Sequence, residues 1–217
     1  IVDVYNSEEQ QVEAIKSWWQ ENGKSIIAGV VIGFIGLFGW RFYNDHIRQK
    51  NEAAAAEYQT MMQSLGEKHD KAFDAVAQFA DSHKDTYGDL ARLQLASDAV
   101  KAGKLDLAAA QLRKVSEQAQ DETFKPVAAI RLARVLTAQN KFDEALKVLN
   151  SVADEQYKAA VAEAKGDALL ASAQPEKARE AYNAAIQAGK NGANPVLQMK
   201  LDDLAVAGNK TEMPAAK

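Results

Sequence analysis

The sequence predicts an all-α protein in which one N-terminal transmembrane helix precedes a solenoid of paired helices. Three observations support this prediction. An uncharged apolar run lies near the N-terminus, the Ala-rich remainder lacks the sustained alternation of β-strands, and a helical motif recurs along that remainder at a nearly constant interval. The protein is therefore expected to contain helices and turns only.

Composition limits the classes of function. The chain has 217 residues, a formal net charge of −4 and no cysteine, and its mean hydropathy of −0.34 hides the concentration of apolar residues in one stretch. The lack of cysteine excludes disulfides, thiol nucleophiles and Cys-ligated zinc within this chain. Lys and Arg form no basic block, so nucleic acid is not expected as a partner.

The apolar run has the length and borders of a membrane span. As a helix, the stretch from Ser25 to Tyr43 is about 28 Å long at about 1.5 Å per residue, close to the roughly 30 Å of a bilayer's hydrocarbon core. Its one charge, Arg41, can snorkel to the headgroups. Trp and Tyr side chains flank the run, as interfacial aromatic residues do, at Trp18, Trp19, Trp40 and Tyr43.

Two alternatives to a permanent span are disfavoured. A buried core helix would rarely hold four glycines, because each costs about 1 kcal/mol relative to Ala in water. A cleaved signal peptide does not fit the long acidic segment before the run, and no small-x-small cleavage site follows it. We therefore predict an uncleaved signal anchor.

The charges around the span do not decide its orientation in the membrane. Lys16 and Lys24 before the span nearly balance Arg41, Arg48 and Lys50 after it.

Small residues share one face of the predicted span, at Ser25, Gly29, Gly33 and Gly36. Such a face lets a second helix approach closely in a membrane, so we predict that it packs against a partner helix. The alternative is that glycine is simply common in membrane spans.

The predicted domain boundaries follow from these features. Residues 1–24 form an amphipathic segment, residues 25–43 the transmembrane helix, and residues 44–65 its helical extension, which no Gly or Pro interrupts. Residues 66–207 form the repeat domain, and residues 208–217 are expected to be a flexible tail.

The repeat domain is defined by a helical motif that occurs four times. The stretches "DKAFDAVAQFA", "LDLAAAQLRKV", "FDEALKVLNSV" and "PEKAREAYNAA" each place a small Ala before a larger apolar or aromatic residue. These alanines are Ala75, Ala108, Ala145 and Ala178, at spacings of 33, 37 and 33. A period near 34 is typical of tetratricopeptide helix pairs, so we predict a tetratricopeptide-like solenoid.

The helix that precedes each of the last three motifs carries its own pattern. A small residue stands seven positions before a turn residue, in the pairs Ala96 with Gly103, Ala133 with Asn140, and Gly166 with Ala173. Small residues on both helices of a pair permit close packing, and the turn residue is expected to reverse the chain.

No residues indicate catalysis. His46, His69 and His83 have no partner at metal-ligand spacing, and nucleophile, P-loop and dinucleotide motifs are lacking. We expect no cofactor, no metal and no enzymatic activity. Stacked helix pairs instead form a concave surface from their first helices. On the predicted register, that surface carries Leu93, Ser97, Lys101, Ile130, Arg134, Glu163 and Asp167. These residues either hold a polypeptide segment or are ordinary solvated groove residues.

Several stretches together resemble the YfgM family: "QVEAIKSWWQENGKSIIAGVVIGFIGLFGWRFYN", "TYGDLARLQLA", "AAIRLARVLTAQNKFDEALKVL" and "VAEAKGDALLA". The resemblance extends from about Val4 to Leu204. It implies a single-span protein of the Gram-negative inner membrane, with a cytoplasmic N-terminus and a periplasmic helical-repeat domain. It also implies partnership with the SecYEG translocon and with the membrane-anchored chaperone PpiD.

The leading functional hypothesis is a non-enzymatic, membrane-anchored interaction module that assists secretory proteins as they emerge from the translocon. The alternative is a regulatory scaffold that sequesters a signalling protein in the envelope stress response. The family implies no catalytic residues.

Overall fold

The computed structural model describes residues 3–189 and 194–211, with side chains for residues 11–66, 71–189 and 194–204. Within these ranges the chain forms helices and turns and no strand, which confirms the predicted all-α fold. The helices are α1 (Asp3–Lys68), α2 (Phe73–Ser82), α3 (Thr86–Lys101), α4 (Leu105–Gln118), α5 (Phe124–Ala138), α6 (Phe142–Asn150), α7 (Lys158–Ala171), α8 (Pro175–Ala188) and α9 (Pro195–Thr211).

The helix α1 carries the predicted apolar run. Among the described residues it is the one helix long and apolar enough to cross a membrane, and its apolar window is not buried. The side chains of Phe34, Ile35 and Phe38 each expose more than half of their surface. A contiguous apolar surface of this kind is unfavourable in water and is typical of contact with lipid or with partner helices.

The chain divides into two compact units, Ile1–Ala54 and Ala55–Lys217. The second unit contains the paired helices. The predicted tail falls partly in α9, and residues 212–217 lie outside the described part of the chain. The predicted segment boundaries within α1 stay predictions.

The second unit is a stack of helix pairs. Neighbouring helices contact one another from α2 to α9, and the first helices of successive pairs, α3, α5 and α7, also touch. The last turns of α1 supply the first member of the first pair, since Leu65 is buried in the core and Tyr58 and Met61 pack against it. We call α3, α5 and α7 the A helices, and α2, α4, α6 and α8 the B helices.

The same turn closes three A helices. Gly103, Asn140 and Ala173 all have positive φ angles, of 73°, 61° and 58°. In each turn the N–H of the next residue donates to a carbonyl five residues earlier, for example from Lys141 to Leu136 at 2.9 Å. This is the Schellman arrangement, which satisfies the last carbonyls of a helix. The predicted turn residues are therefore confirmed.

Small residues allow the paired helices to approach. On the A helices Ala96 and Ala133 are 1 % exposed, and on the B helices Ala108, Ala145 and Ala178 are fully buried. The prediction for Ala75 is wrong, because that residue is exposed. A 3₁₀ turn, His69–Ala72, precedes α2, and the buried face of α2 is formed by Phe73, Val76, Phe79 and Ala80.

At Gly166 the approach leaves no room for a side chain. A Cβ atom at this position would collide with the ring of Tyr182. That ring cannot easily move, because Tyr182 is 1 % exposed and its hydroxyl donates to Asp167 Oδ1 at 2.8 Å.

We predict that Ala173→Gly stabilises the protein. A non-glycine residue with positive φ costs about 1–2 kcal/mol, whereas the added chain entropy of glycine offsets about 0.5–1 kcal/mol. The thermal unfolding midpoint of the full chain in detergent, followed by circular dichroism, should rise. Ala102→Gly is the matched control, because Ala102 lies in the equivalent turn at a φ of −81° and should only lose stability. A lower midpoint for Ala173→Gly would contradict the turn geometry.

We also predict that Gly166→Ala destabilises the fold. Overpacking against Tyr182 costs about 1–3 kcal/mol, which exceeds the roughly 1 kcal/mol that Ala gains over Gly within a helix. The control is Gly66→Ala, where the added Cβ meets no atom within 4 Å and should be neutral or stabilising. Urea unfolding midpoints measure both changes, and equal midpoints for the two variants would refute the proposed close approach.

Candidate functional site: a groove along the A helices

A groove of about 730 Å³ lies along the A helices of the repeat unit. We call it the α3–α5 groove. Its lining comes from α1, α3 and α5 with one residue of α4: Tyr58, Leu90, Leu93, Gln94, Ala96, Ser97, Val100, Lys101, Leu112, Phe124, Val127, Arg131, Arg134 and Val135.

Apolar side chains form most of this lining. Tyr58 is held in place by two neighbouring rings, with centroids 5.9 Å from Tyr87 and 6.4 Å from Phe79. Val100 remains 43 % exposed, although it is an apolar side chain in a concave surface. A concave, mostly apolar surface with a few polar groups is the usual form of a binding site.

The charged side chains of the groove are all cationic. Lys101, Arg131 and Arg134 line it, and its lining contains no Asp or Glu. This local charge is opposite in sign to the net charge of the chain, which is −4.

The three cations differ in their partners. Lys101 donates to Asp98 Oδ1 at 2.7 Å at the border of the groove. Arg131 and Arg134 are both exposed, and within the described part of the chain neither has a carboxylate at ion-pairing distance. Because they stand three residues apart on one helix, their charges lie on the same face and repel each other.

The A helix α7 differs from α3 and α5 because two of its carboxylates bind a lysine of α9. Lys200 of α9 donates to Glu163 Oε1 at 2.9 Å and to Asp167 Oδ1 at 2.7 Å. Leu197 and Leu204, on either side of Lys200, are buried with residues of α8. The helix α9 therefore closes the stack with an apolar contact and an ion-pair cluster.

The environment of this cluster changes the pKa values of two groups. Burial alone would lower the pKa of Lys200, but its hydrogen bonds to Asp167 and Glu163 outweigh burial, so the pKa is raised. Burial raises the pKa of the Tyr182 hydroxyl, and its hydrogen bond to Asp167 raises it further. Lys200 is thus held in its charged form beside two carboxylates.

Four of the seven predicted groove residues line the α3–α5 groove: Leu93, Ser97, Lys101 and Arg134. Ile130 instead lies in the hydrophobic core and is 6 % exposed. Glu163 and Asp167 bind Lys200 and are not among the lining residues. The structure therefore brings together the predicted residues of α3 and one of α5, and it separates those of α7.

The sequence analysis missed several lining residues, including Tyr58, Phe124, Val127 and Arg131. The helical period could have found Val127 and Arg131, because they precede Arg134 by seven and three residues and share its face. Tyr58 belongs to α1, which was interpreted as an extension of the membrane span and not as part of a helix pair.

The small residues of the predicted span are all exposed, at Ser25, Gly29, Gly33 and Gly36. A Cβ atom at any of these three glycines would meet no atom within 4 Å. Among the described residues, no group of three His, Asp or Glu side chains is placed to hold a metal ion.

Comparison with known proteins identifies the family. A family model described as "Tetratricopeptide repeat-like domain" matches residues 16–206. A protein of Escherichia coli (strain K12) named "Ancillary SecYEG translocon subunit" is 36 % identical over 94 % of this chain and 100 % of its own length. The chain belongs to the ancillary SecYEG translocon subunit (YfgM) family. A relative of the same name from Haemophilus influenzae is 32 % identical over 91 % of this chain and 97 % of its own.

One solved structure supports the fold assignment. The protein titled "MamA RS-1 ArsTM double mutant" matches with a TM-score of 0.54 at 19 % identity, over 72 % of this chain and 85 % of that chain. At this identity the likeness concerns the fold alone.

We predict that Lys200→Met loosens α9. The substitution keeps an apolar stem but leaves Glu163 and Asp167 without their cation, so the two carboxylates repel each other. Amide hydrogen exchange in α9 should accelerate, whereas exchange in α3 and α5 should not change. Lys177→Met is the control, because Lys177 is an exposed residue of α8 whose ammonium donates only to Gln174. Unchanged exchange in α9 would show that its leucines alone hold it.

Proposed function

We propose that the protein is a non-enzymatic interaction module, anchored in the inner membrane by a single span and associated with the Sec translocon. In this proposal the N-terminus is cytoplasmic and the repeat domain is periplasmic. The repeat domain binds segments of secretory polypeptides as they emerge, together with a membrane-anchored chaperone such as PpiD. The observation that carries the proposal is the 36 % identity, over almost the whole chain, to a protein named as a subunit of this translocon.

The exposed glycines of the predicted span support a contact within the membrane. At Gly29 and Gly33 the helix surface is open, so the backbone of another helix can approach it closely. We propose that this face contacts a membrane helix of the translocon or of the chaperone.

The α3–α5 groove supports polypeptide binding. It is concave and mostly apolar, and some of its lining side chains, such as Val100, remain exposed to solvent. Such a surface can bind the apolar side chains of an extended or partly folded polypeptide, and this binding requires no catalytic residue.

The membrane contact predicts an effect of filling the glycine face. Gly29→Leu combined with Gly33→Leu should reduce recovery of the translocon channel protein when the full chain is purified from mild detergent, because the backbones can no longer approach. Val31→Leu is the control, since Val31 lies about 160° around the helix from both Gly29 and Gly33. Undiminished recovery from the double variant would rule out this face as the contact.

Polypeptide binding predicts the positions of cross-links in living cells. Photo-reactive residues at Ser97 and Val127, which line the groove, should trap nascent secretory proteins. A photo-reactive residue at Lys147, which is exposed on the B helix α6, should trap few or none. If Lys147 traps these clients and the groove positions do not, the groove is not the binding surface.

A further inference from the structure

We propose that the α3–α5 groove is selective for acidic polypeptide segments. Apolar side chains of the segment occupy the floor of the groove, and its carboxylates pair with Arg131 and Arg134. The inference deepens the function proposed above and rests on it, because it specifies which class of polypeptide the same groove prefers.

The first argument is the charge that the groove leaves unbalanced. Arg131 and Arg134 are exposed, repel each other on one face of α5, and have no carboxylate partner among the described residues. Lys101 adds a third cation, partly neutralised by Asp98. A carboxylate between the two arginines removes their repulsion and accepts charge-assisted hydrogen bonds, for which the guanidinium fork is well suited.

The second argument comes from the repeat itself. Arg134 directly follows the small residue of α5, as Asp167 follows the small residue Gly166 of α7. Asp167 has a partner of opposite charge within the chain, the ammonium of Lys200. The equivalent residue of α5, Arg134, has the opposite sign and no such partner in the described chain, so its guanidinium is open to a carboxylate of a ligand.

The third argument concerns the floor beneath the charges. Leu93, Val100, Phe124 and Val127 give the groove an apolar lining, which a small anion or a strongly hydrated polyanion would leave uncovered. A segment that combines apolar side chains with one or two carboxylates satisfies both parts of the surface. This chemistry favours a polypeptide over a nucleic acid.

The test compares three fluorescent peptides that differ in charge alone. Each has the same apolar side chains and blocked termini, and carries Glu, Gln or Lys at the same two positions. Anisotropy titrations use the full chain in nanodiscs of zwitterionic lipid. We expect the Glu peptide to bind about tenfold more tightly than the Lys peptide, with a smaller difference when ionic strength rises from about 0.05 M to about 0.5 M.

Variants of the groove assign the effect to the two arginines. Arg131→Gln combined with Arg134→Gln should reduce the preference for Glu over Lys to about twofold or less and leave the melting temperature unchanged, because both residues are exposed. Lys147→Gln combined with Lys177→Gln removes the same charge from α6 and α8 and should keep the full preference.

Each outcome has a distinct meaning. Equal binding of all three peptides would overturn the selectivity for acidic segments while leaving polypeptide binding by the groove intact. Binding of none would overturn groove binding itself, although association with the translocon could still be measured by co-purification. Displacement of the Glu peptide from Arg131 and Arg134 by vesicles containing anionic lipid, but not by zwitterionic vesicles, would assign the arginines to lipid and overturn the proposal.

Discussion

The repeat unit depends on the close approach of the two helices in each pair. That approach requires a residue without a bulky side chain on the A helix, where Ala133 and Gly166 stand, and buried alanines on the B helix, such as Ala145 and Ala178. Small contact residues bring the helix backbones together, and the larger apolar side chains around them then pack at interior density. Stability in such a stack comes from each pair and from its contacts with neighbours.

The same constraint separates the core from the binding surface. Because the small residue and the positive-φ turn fix the rotation of each A helix, the residue after the small one emerges at an equivalent position in every pair. Ser97, Arg134 and Asp167 occupy that position, and their chemistry differs while the core beneath them is nearly constant. Ser97 and Arg134 are exposed and can change with little cost in packing, whereas Asp167 accepts hydrogen bonds from Tyr182 and Lys200. The charge that the α3 and α5 pairs present is consequently a property of their surface and not of their fold.

The fold could be predicted from the sequence because its determinants are local and periodic. The three turns and the small residues recur at fixed spacing, and each is visible within one pair. The site was predicted less completely. The positions of the small residues define the rotation of a helix with an uncertainty of about one residue, or 100°. For this reason the sequence assigns Ile130 to the groove, whereas Arg131 is the residue that lines it. The ion pair between Asp167 and Lys200 joins residues 33 positions apart, and no local sequence pattern predicts it.

A basic groove on an acidic chain raises the question of whether the net charge opposes an acidic ligand. At physiological ionic strength the Debye length is about 8 Å, so a carboxylate in the groove interacts mainly with charges close to it. Those are Arg131, Arg134 and the partly neutralised Lys101. The more distant acidic surface is screened there and acts mainly on the approach of a ligand, where it disfavours strongly acidic chains. The two effects together favour segments with few carboxylates among apolar residues over polyanions, because only the former gain from the floor of the groove.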